Sequence, residues 1–335
     1  MEIKERDDFP ASLLEATRYF SDPDVCVEFM AAMRWPDGPV CPHCGGTKQS
    51  YLSTRRIWKC MNKECRKQFS VKSGTVFEDS PIALDKWLTA VWLVVNCKNG
   101  ISSHEIARDL NVTQKSAWFM LHRIRLALES GIEKLGGPHS GPVEVDESFV
   151  GGNPKNWHAA KRVKHHKEVR SERVREYQNR FTHKTAIVGM LDRESRQIRA
   201  KVVPNVKRET LQNHILATIK PNTHVYTDQA VAYNSLADDF VHKTVNHAME
   251  YVRGNVHTNG LENFWSLLKR NLRGTYVAVE PFHLDRYLAE QVFRFNNRRM
   301  MNDADRFRLA VSQISGKRLT YAELTGKVGE TGAVA

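Results

Sequence analysis

No stretch of this 335-residue chain approaches the ~18 consecutive apolar residues that a membrane span needs. The longest apolar region, 88–95, is too short and contains Thr89. The opening segment MEIKERDDFP is charged and has no apolar centre, so it does not read as a secretory signal. The sequence contains no internal repeat, and only six cysteines occur. Nor is apolar residue content low enough for disorder: 41% hydrophobic and 26% charged residues lie near globular averages. At about 150 residues per domain the length fits two domains and a small appended module. The expectation is a soluble, cytoplasmic protein.

Acidic residues are in deficit, but only in part of the chain. The net charge is +12, which favours a polyanionic partner, most commonly nucleic acid. Residues 1–80 hold 12 basic and 12 acidic side chains, and residues 81–150 hold 7 and 8. Residues 151–335 hold 31 and 18, and the segment 151–184 alone holds ten and three. All the positive excess therefore lies in the second half.

The elements can be read in order. Residues 11–34 suggest short helices, with Ser21 as an N-cap and Asp24 in the first helical turn. The turn-forming run 35–39 ends them. Residues 81–130 read as helical throughout, and Gly136, Gly137 and Pro138 make a linker. Strands are expected at 143–150, 185–191, 198–203 and 224–227, and helices at 208–219, 259–272 and 282–299. Residues 326–335 read as a frayed tail.

Four of the cysteines form a pattern, Cys41-x2-Cys44 and Cys60-x4-Cys65, with fifteen residues between the pairs. Two knuckles joined by a hairpin suit one tetrahedral zinc ion. A segment this short has too little core to fold alone, which gives a metal a structural task. Four thiolates leave no open coordination position, so His43 is not needed and the site is structural, not catalytic. Cys26 and Cys97 stand alone and read as core residues.

Residues 102–117 have the layout of a helix-turn-helix. Ile106, Leu110, Val112, Ala117 and Met120 fall on inward positions, Asn111 suits the turn, and Thr113 suits the cap of the second helix. That helix would present Gln114, Lys115 and part of Trp118 to a DNA groove, with Arg123 and Arg125 further along. An ordinary helical hairpin is the competing explanation.

The second half carries three acidic residues at element ends: Asp146, Asp228 82 residues later, and Glu262 34 residues after that. Each has an ordinary alternative. Asp228 could cap a following helix, Glu262 could complete a capping box with Asn259, and Asp146 could be a polar strand end. Converged, they would repel one another and raise each other's pKa. A pair of divalent cations would relieve this; Mg²⁺ prefers such oxygen ligands. Two such ions about 4 Å apart can activate water and stabilise the leaving oxygen of a phosphodiester. Glu262, Ser266 and Lys269 share a helix face, Glu262 and Lys269 being about 10 Å apart along the axis.

Taken together, the motifs resemble bacterial insertion-sequence transposases of the ISXO-type, Merlin-like group in the DDE transposase superfamily. The resemblance rests on Arg34-Trp35-Pro36-Asp37-Gly38, the cysteine segment ending at Thr75, and the helix-turn-helix. It rests equally on 145–152, on Tyr226-Thr227-Asp228, on 257–270, on 286–288 and on 295–298. It implies an α+β chain: an N-terminal helical segment (1–36), a zinc ribbon (37–78), a helix-turn-helix region (79–135), an RNase H-like α/β catalytic domain (140–300) and a C-terminal helix and tail (301–335). It implies Asp146, Asp228 and Glu262 as ligands of Mg²⁺ (or Mn²⁺), and Lys269 as a contact to DNA near the scissile phosphate. The expected function is cleavage at the element's ends and transfer of the freed strand. The partners would be the terminal inverted repeats, target DNA and further copies of the chain, in the bacterial nucleoid and not at a membrane. In the basic stretch, Lys161, Arg162, Lys164 and Lys167 are expected to track the DNA backbone without reading bases. A regulator that binds DNA without cutting it, and a nuclease or resolvase on the same fold, are the rival expectations.

Overall fold

The computed structural model describes residues 9–129, 133–137, 140–152, 158–160, 163, 184–228, 233, 240–245 and 257–327. The chain divides into two compact units, Met1–Ser130 with Asn297–Ala335, and Gly131–Asn296. No helix among the described residues is long and apolar enough to cross a membrane.

The first unit begins with α1 (Leu13–Tyr19), started by a capping box between Ser12 and Glu15. In α2 (Pro23–Arg34) the cap is Asp22, not the expected Ser21; its carboxylate accepts from Asp24 N at 2.8 Å. Proline fits the first helical position because its φ is preset and it has no N–H to leave unmet, so the residue before it becomes the cap. The apolar run 88–95 lies in α3 (Leu84–Asn96), buried on nearly every side as the core helix of this unit.

The helical region 81–130 breaks twice: once between α3 and α4 (Ser103–Asp109), and again, at the turn expected of the helix-turn-helix, between α4 and α5 (Gln114–Ala127). Asn111 takes the left-handed conformation, φ 48°, that the turn between them requires. Ser102 and Glu105 form a capping box on α4, and Thr113 accepts from Ser116 N at 3.1 Å on α5. Arg123 and Arg125, expected along an exposed face, are buried. Arg123 donates to the Glu78 and Leu319 carbonyls and stacks over Phe119. The cause lies far away in sequence: the C-terminal segment, with α9 (Asp303–Ser312) and α10 (Tyr321–Leu324), returns to this unit. Phe307 of α9 packs within 6 Å of Phe20, Phe29 and Trp92.

A three-stranded antiparallel sheet, β1 (Gln49–Leu52), β2 (Ile57–Cys60) and β3 (Gln68–Phe69), carries the cysteine segment. Trp35 packs edge-on against Trp58 and Phe69 on this sheet, and Arg34 donates to the Val71 and Ser73 carbonyls.

The second unit is a five-stranded mixed sheet in the order β6-β5-β4-β7-β8. Its strands are β4 (Val143–Val150), β5 (Thr185–Asp192), β6 (Ile198–Val203), β7 (His224–Asp228) and β8 (Val241–Val245). β5 runs antiparallel to β4 and β6, whereas β7 is parallel to β4 and β8. Helices cover both faces. Leu211 and Ile215 of α6 (Arg208–Thr218) pack with Val143, Val145, Val188 and Met190. On the other side, α7 (Asn259–Asn271) and α8 (Leu284–Asn297) pack against Ile187, Leu191 and Ile198. The chain is α+β.

Candidate active site

Strand β4 organises the acidic residues because side chains alternate across a sheet. Val143 and Val145 point to the α6 face, so Glu144 and Asp146 point to the α7 face. Asp146 is opposite Gly189 on β5. That glycine has a steric reason: a Cβ there would come within 2.7 Å of the Trp265 ring. The space it leaves lets Trp265 approach and donate its indole N–H to Asp146 Oδ2 at 2.9 Å.

Asp228 ends β7 and is half-buried, and Glu262 sits exposed in the first turn of α7. The pKa of Asp146 is pushed up to about 6, chiefly by burial, with the charges of Asp228 and Glu262 adding to it. Bonds from Trp265 and the backbone oppose the shift. Asp146 therefore senses the charges of the other two carboxylates. The three are not collapsed together: among the described residues, only the four cysteines form a group of three or more candidate ligands with all donor atoms within 4.8 Å. Lys269, two turns beyond Glu262, is half-buried and also senses Asp146; burial is the main cause of its lowered pKa, and Arg273 adds to it.

The capping-box explanation for Glu262 is not realised. The N-cap of α7 is Thr258, and it makes no side-chain capping bond.

Sequence reasoning did not single out Glu147. It lies on the α6 face, where Tyr233 donates to it. Burial first, then Asp228 and Asp146, push its pKa up to about 7. The only sequence signal was its place next to Asp146.

These shifts set a sign for stability. Asp146 keeps its proton to about pH 6 in the folded chain, against an ordinary 3.8. Between those values the folded state binds more protons than the unfolded one, so stability falls as pH rises through that window. An Asp146→Asn variant has no such charge to bury. Its melting temperature relative to wild type is expected to rise between pH 4 and 6 and then level off. Paired thermal melts in buffer free of divalent cations check this, and a gap independent of pH contradicts it.

The cysteines converge as expected. Cys41 and Cys65 Sγ are 3.8 Å apart, and Cys44 and Cys60 Sγ are 3.6 Å apart. A tetrahedron with ~2.3 Å metal–sulfur bonds has edges of about 3.8 Å, so the donor set fits zinc. Gly45, at φ 71°, makes the tight first knuckle. A hydrogen bond from the Gly46 backbone holds Cys44 down to about 7. Cys26 is buried and its thiol is pushed up to about 12 by that burial, consistent with a core residue.

Gln114 and Lys115 are exposed on the first turn of α5. Gln114 Nε2 donates to Ser103 Oγ at 2.9 Å, and Lys115 Nζ lies 4.7 Å from the Tyr321 ring centre. Lys161, Arg162, Lys164 and Lys167 lie outside the described residues.

Comparison with known proteins gives these features a family. The profile of the ISXO2-like transposase domain matches residues 138–296, and that of the transposase zinc-ribbon domain matches residues 21–68. An uncharacterized protein in the transposable element ISH50 of Halobacterium salinarum is 29% identical over 277 residues, 79% of this chain and 90% of that protein. An uncharacterized transposase-like protein of Haemophilus influenzae is 37% identical over 97 residues, 29% of this chain and 78% of that protein. The chain belongs to the ISXO2-like family of transposases, with a zinc-ribbon domain ahead of the transposase domain.

Proposed function

We propose that this transposase cuts a phosphodiester at each end of its element and joins the freed 3′ hydroxyl to target DNA by in-line transesterification. The observation that carries the reading is the placement of Asp146, held on β4 by the Trp265 indole N–H and within electrostatic reach of Asp228 on β7 and Glu262 on α7. Three negative groups gathered from β4, β7 and α7 make a hard-oxygen donor set suited to Mg²⁺ or Mn²⁺. When bound, a pair of these ions would stabilise the charge on the attacking and leaving oxygens. Trp265 fixes the rotamer of Asp146 through its N–H. Lys269, beside that carboxylate, holds a DNA phosphate next to the scissile bond. One Zn²⁺ on Cys41, Cys44, Cys60 and Cys65 keeps the ribbon folded. The experiment is an incubation of zinc-loaded protein with a labelled duplex carrying an element end. Nicking at the element boundary is expected with Mg²⁺ or Mn²⁺ and not without them; nicking indifferent to divalent cations contradicts the reading.

End recognition is assigned to α5, with Gln114 and Lys115 facing a groove and Lys161, Arg162, Lys164 and Lys167 following the backbone. Losing a base-reading side chain costs ~1–3 kcal/mol of discrimination. The double variant Gln114→Ala, Lys115→Ala is expected to bring its affinities for terminal-repeat and random duplexes closer by that amount. Competition binding at fixed salt measures the ratio; an unchanged ratio moves sequence reading to another element.

A further inference from the structure

The helix that carries Glu262 is capped by a carboxylate from a different element. Thr258 supplies no side-chain bond to the start of α7. Instead Glu144 Oε2, from β4, accepts from Leu261 N at 3.0 Å. The other oxygen of Glu144 accepts from Arg193 Nε at 2.6 Å. The Glu144 side chain is only 2% exposed. Arg193 continues to His257, donating to its backbone carbonyl and contacting Nδ1 at 2.6 Å. Its guanidinium also lies 5.0 Å from the centre of the Tyr226 ring.

Three of the residues in contact stand beside the three carboxylates. Glu144 stands two residues before Asp146, Tyr226 two before Asp228, and Leu261 immediately before Glu262. One ion pair therefore touches all three elements that carry them. Gly260 is part of the same fit, because a Cβ there would lie 2.8 Å from Glu144 Oε2. Stability alone is a weak reason for such a pair, since apolar side chains of the same volume commonly serve as well. An apolar residue at 144 would leave the Leu261 N–H without its acceptor, and with it the fixed height of α7 on the sheet.

We propose that Glu144, Arg193 and His257 form the positioning network of this site, setting the height of α7 against β4 and β7 so that Glu262 meets Asp146 and Asp228 at the spacing a divalent cation requires. The proposal rests on the reading of those three carboxylates as cation ligands. Glu144 and Arg193 touch neither the cation nor DNA; they act through the helix.

The test is direct Mn²⁺ binding, followed by the electron paramagnetic resonance of free Mn²⁺, on full-length zinc-loaded protein below the melting temperature of every variant. Glu144→Gln and Arg193→Gln are each expected to weaken binding about tenfold or more, the usual effect of removing a partner that orients a metal ligand. Asp146→Asn, which removes a ligand, is expected to lose the site. Ile215→Ala lies on the opposite face of the sheet; it is expected to lower the melting temperature and bind Mn²⁺ like wild type, which separates positioning from general destabilisation. Wild-type affinity in Glu144→Gln and Arg193→Gln, with loss in Asp146→Asn, overturns the network and leaves the site standing. Wild-type affinity in Asp146→Asn overturns both. Should the two buried variants fail to fold, His257→Ala, at the more exposed end, is expected to weaken binding severalfold, and unchanged affinity there overturns the proposal.

Discussion

Asp146→Asn, Asp228→Asn and Glu262→Gln are each expected to lower element-end cleavage by at least about a thousandfold, ~4 kcal/mol of transition-state stabilisation. Each substitution keeps the side chain's size and removes one negative charge from the cluster. The three come from separate elements, so a local folding defect common to all is not expected. Asparagine at 146 still offers Trp265 an oxygen acceptor in place of Oδ2, so the packing around Gly189 is retained. The charge lost is the one that divalent ions would answer. Binding to element-end duplex is expected to stay within a few-fold of wild type. Gel-based cleavage and binding measured on the same samples separate the two quantities. Cleavage near wild type by Asp228→Asn would remove that residue from the site. Lys269→Ala is expected to be milder, because the role proposed for it is a phosphate contact and not a ligand.

The second large effect concerns zinc. Stripping the metal, or Cys44→Ser, is expected to unfold the ribbon across β1, β2 and β3 while the sheet of the second unit stays intact. Structural zinc supplies ~10–16 kcal/mol of apparent binding free energy in small zinc modules, more than the few kcal/mol a segment of this size gains from its core. The ribbon core consists of little beyond Trp35, Trp58 and Phe69. Hydrogen exchange provides the measurement: amides of Gln49–Leu52 and Ile57–Cys60 are expected to lose protection, while those of Val143–Val150 and Thr185–Asp192 keep it. Elemental analysis is expected to give one zinc per chain. Full protection of the ribbon in zinc-free protein would contradict the assignment.

Local signals in the sequence located most of the second unit. β6 over Ile198–Val203 and α7 over Asn259–Asn271 follow from apolar periodicity and turn residues nearby. β8, Val241–Val245, escaped notice because it lies at the edge of the sheet and its VHKTV pattern mixes charge with short apolar residues. Of the helix breaks at Gly100 and Asn111, the second was read from Asn111, while the first went unread although Asn99-Gly100 is a turn signal. Arg123 misled because one of the carbonyls that holds it, that of Leu319, is about two hundred residues away. Asp228 and Glu262 were visible as residue types at element ends, whereas Asp146, expected at a strand end, lies in the middle of β4. Their supports were not visible: nothing near Glu144 in sequence indicates that its partners are Arg193 and Leu261, 49 and 117 residues on. Gly189 likewise looks like a weak point in a strand until Trp265 is placed over it.

Strand joining in a purified system measures the proposed transfer step directly. A duplex ending in the element's terminal repeat, with its 3′ hydroxyl already free, is mixed with plasmid DNA, zinc-loaded protein and Mg²⁺. Wild type is expected to join that 3′ end covalently to the plasmid in the presence of Mg²⁺, and Asp146→Asn to join none. Joining at the wild-type level by Asp146→Asn, or no joining by a wild-type protein that binds the same duplex, would contradict the proposed step.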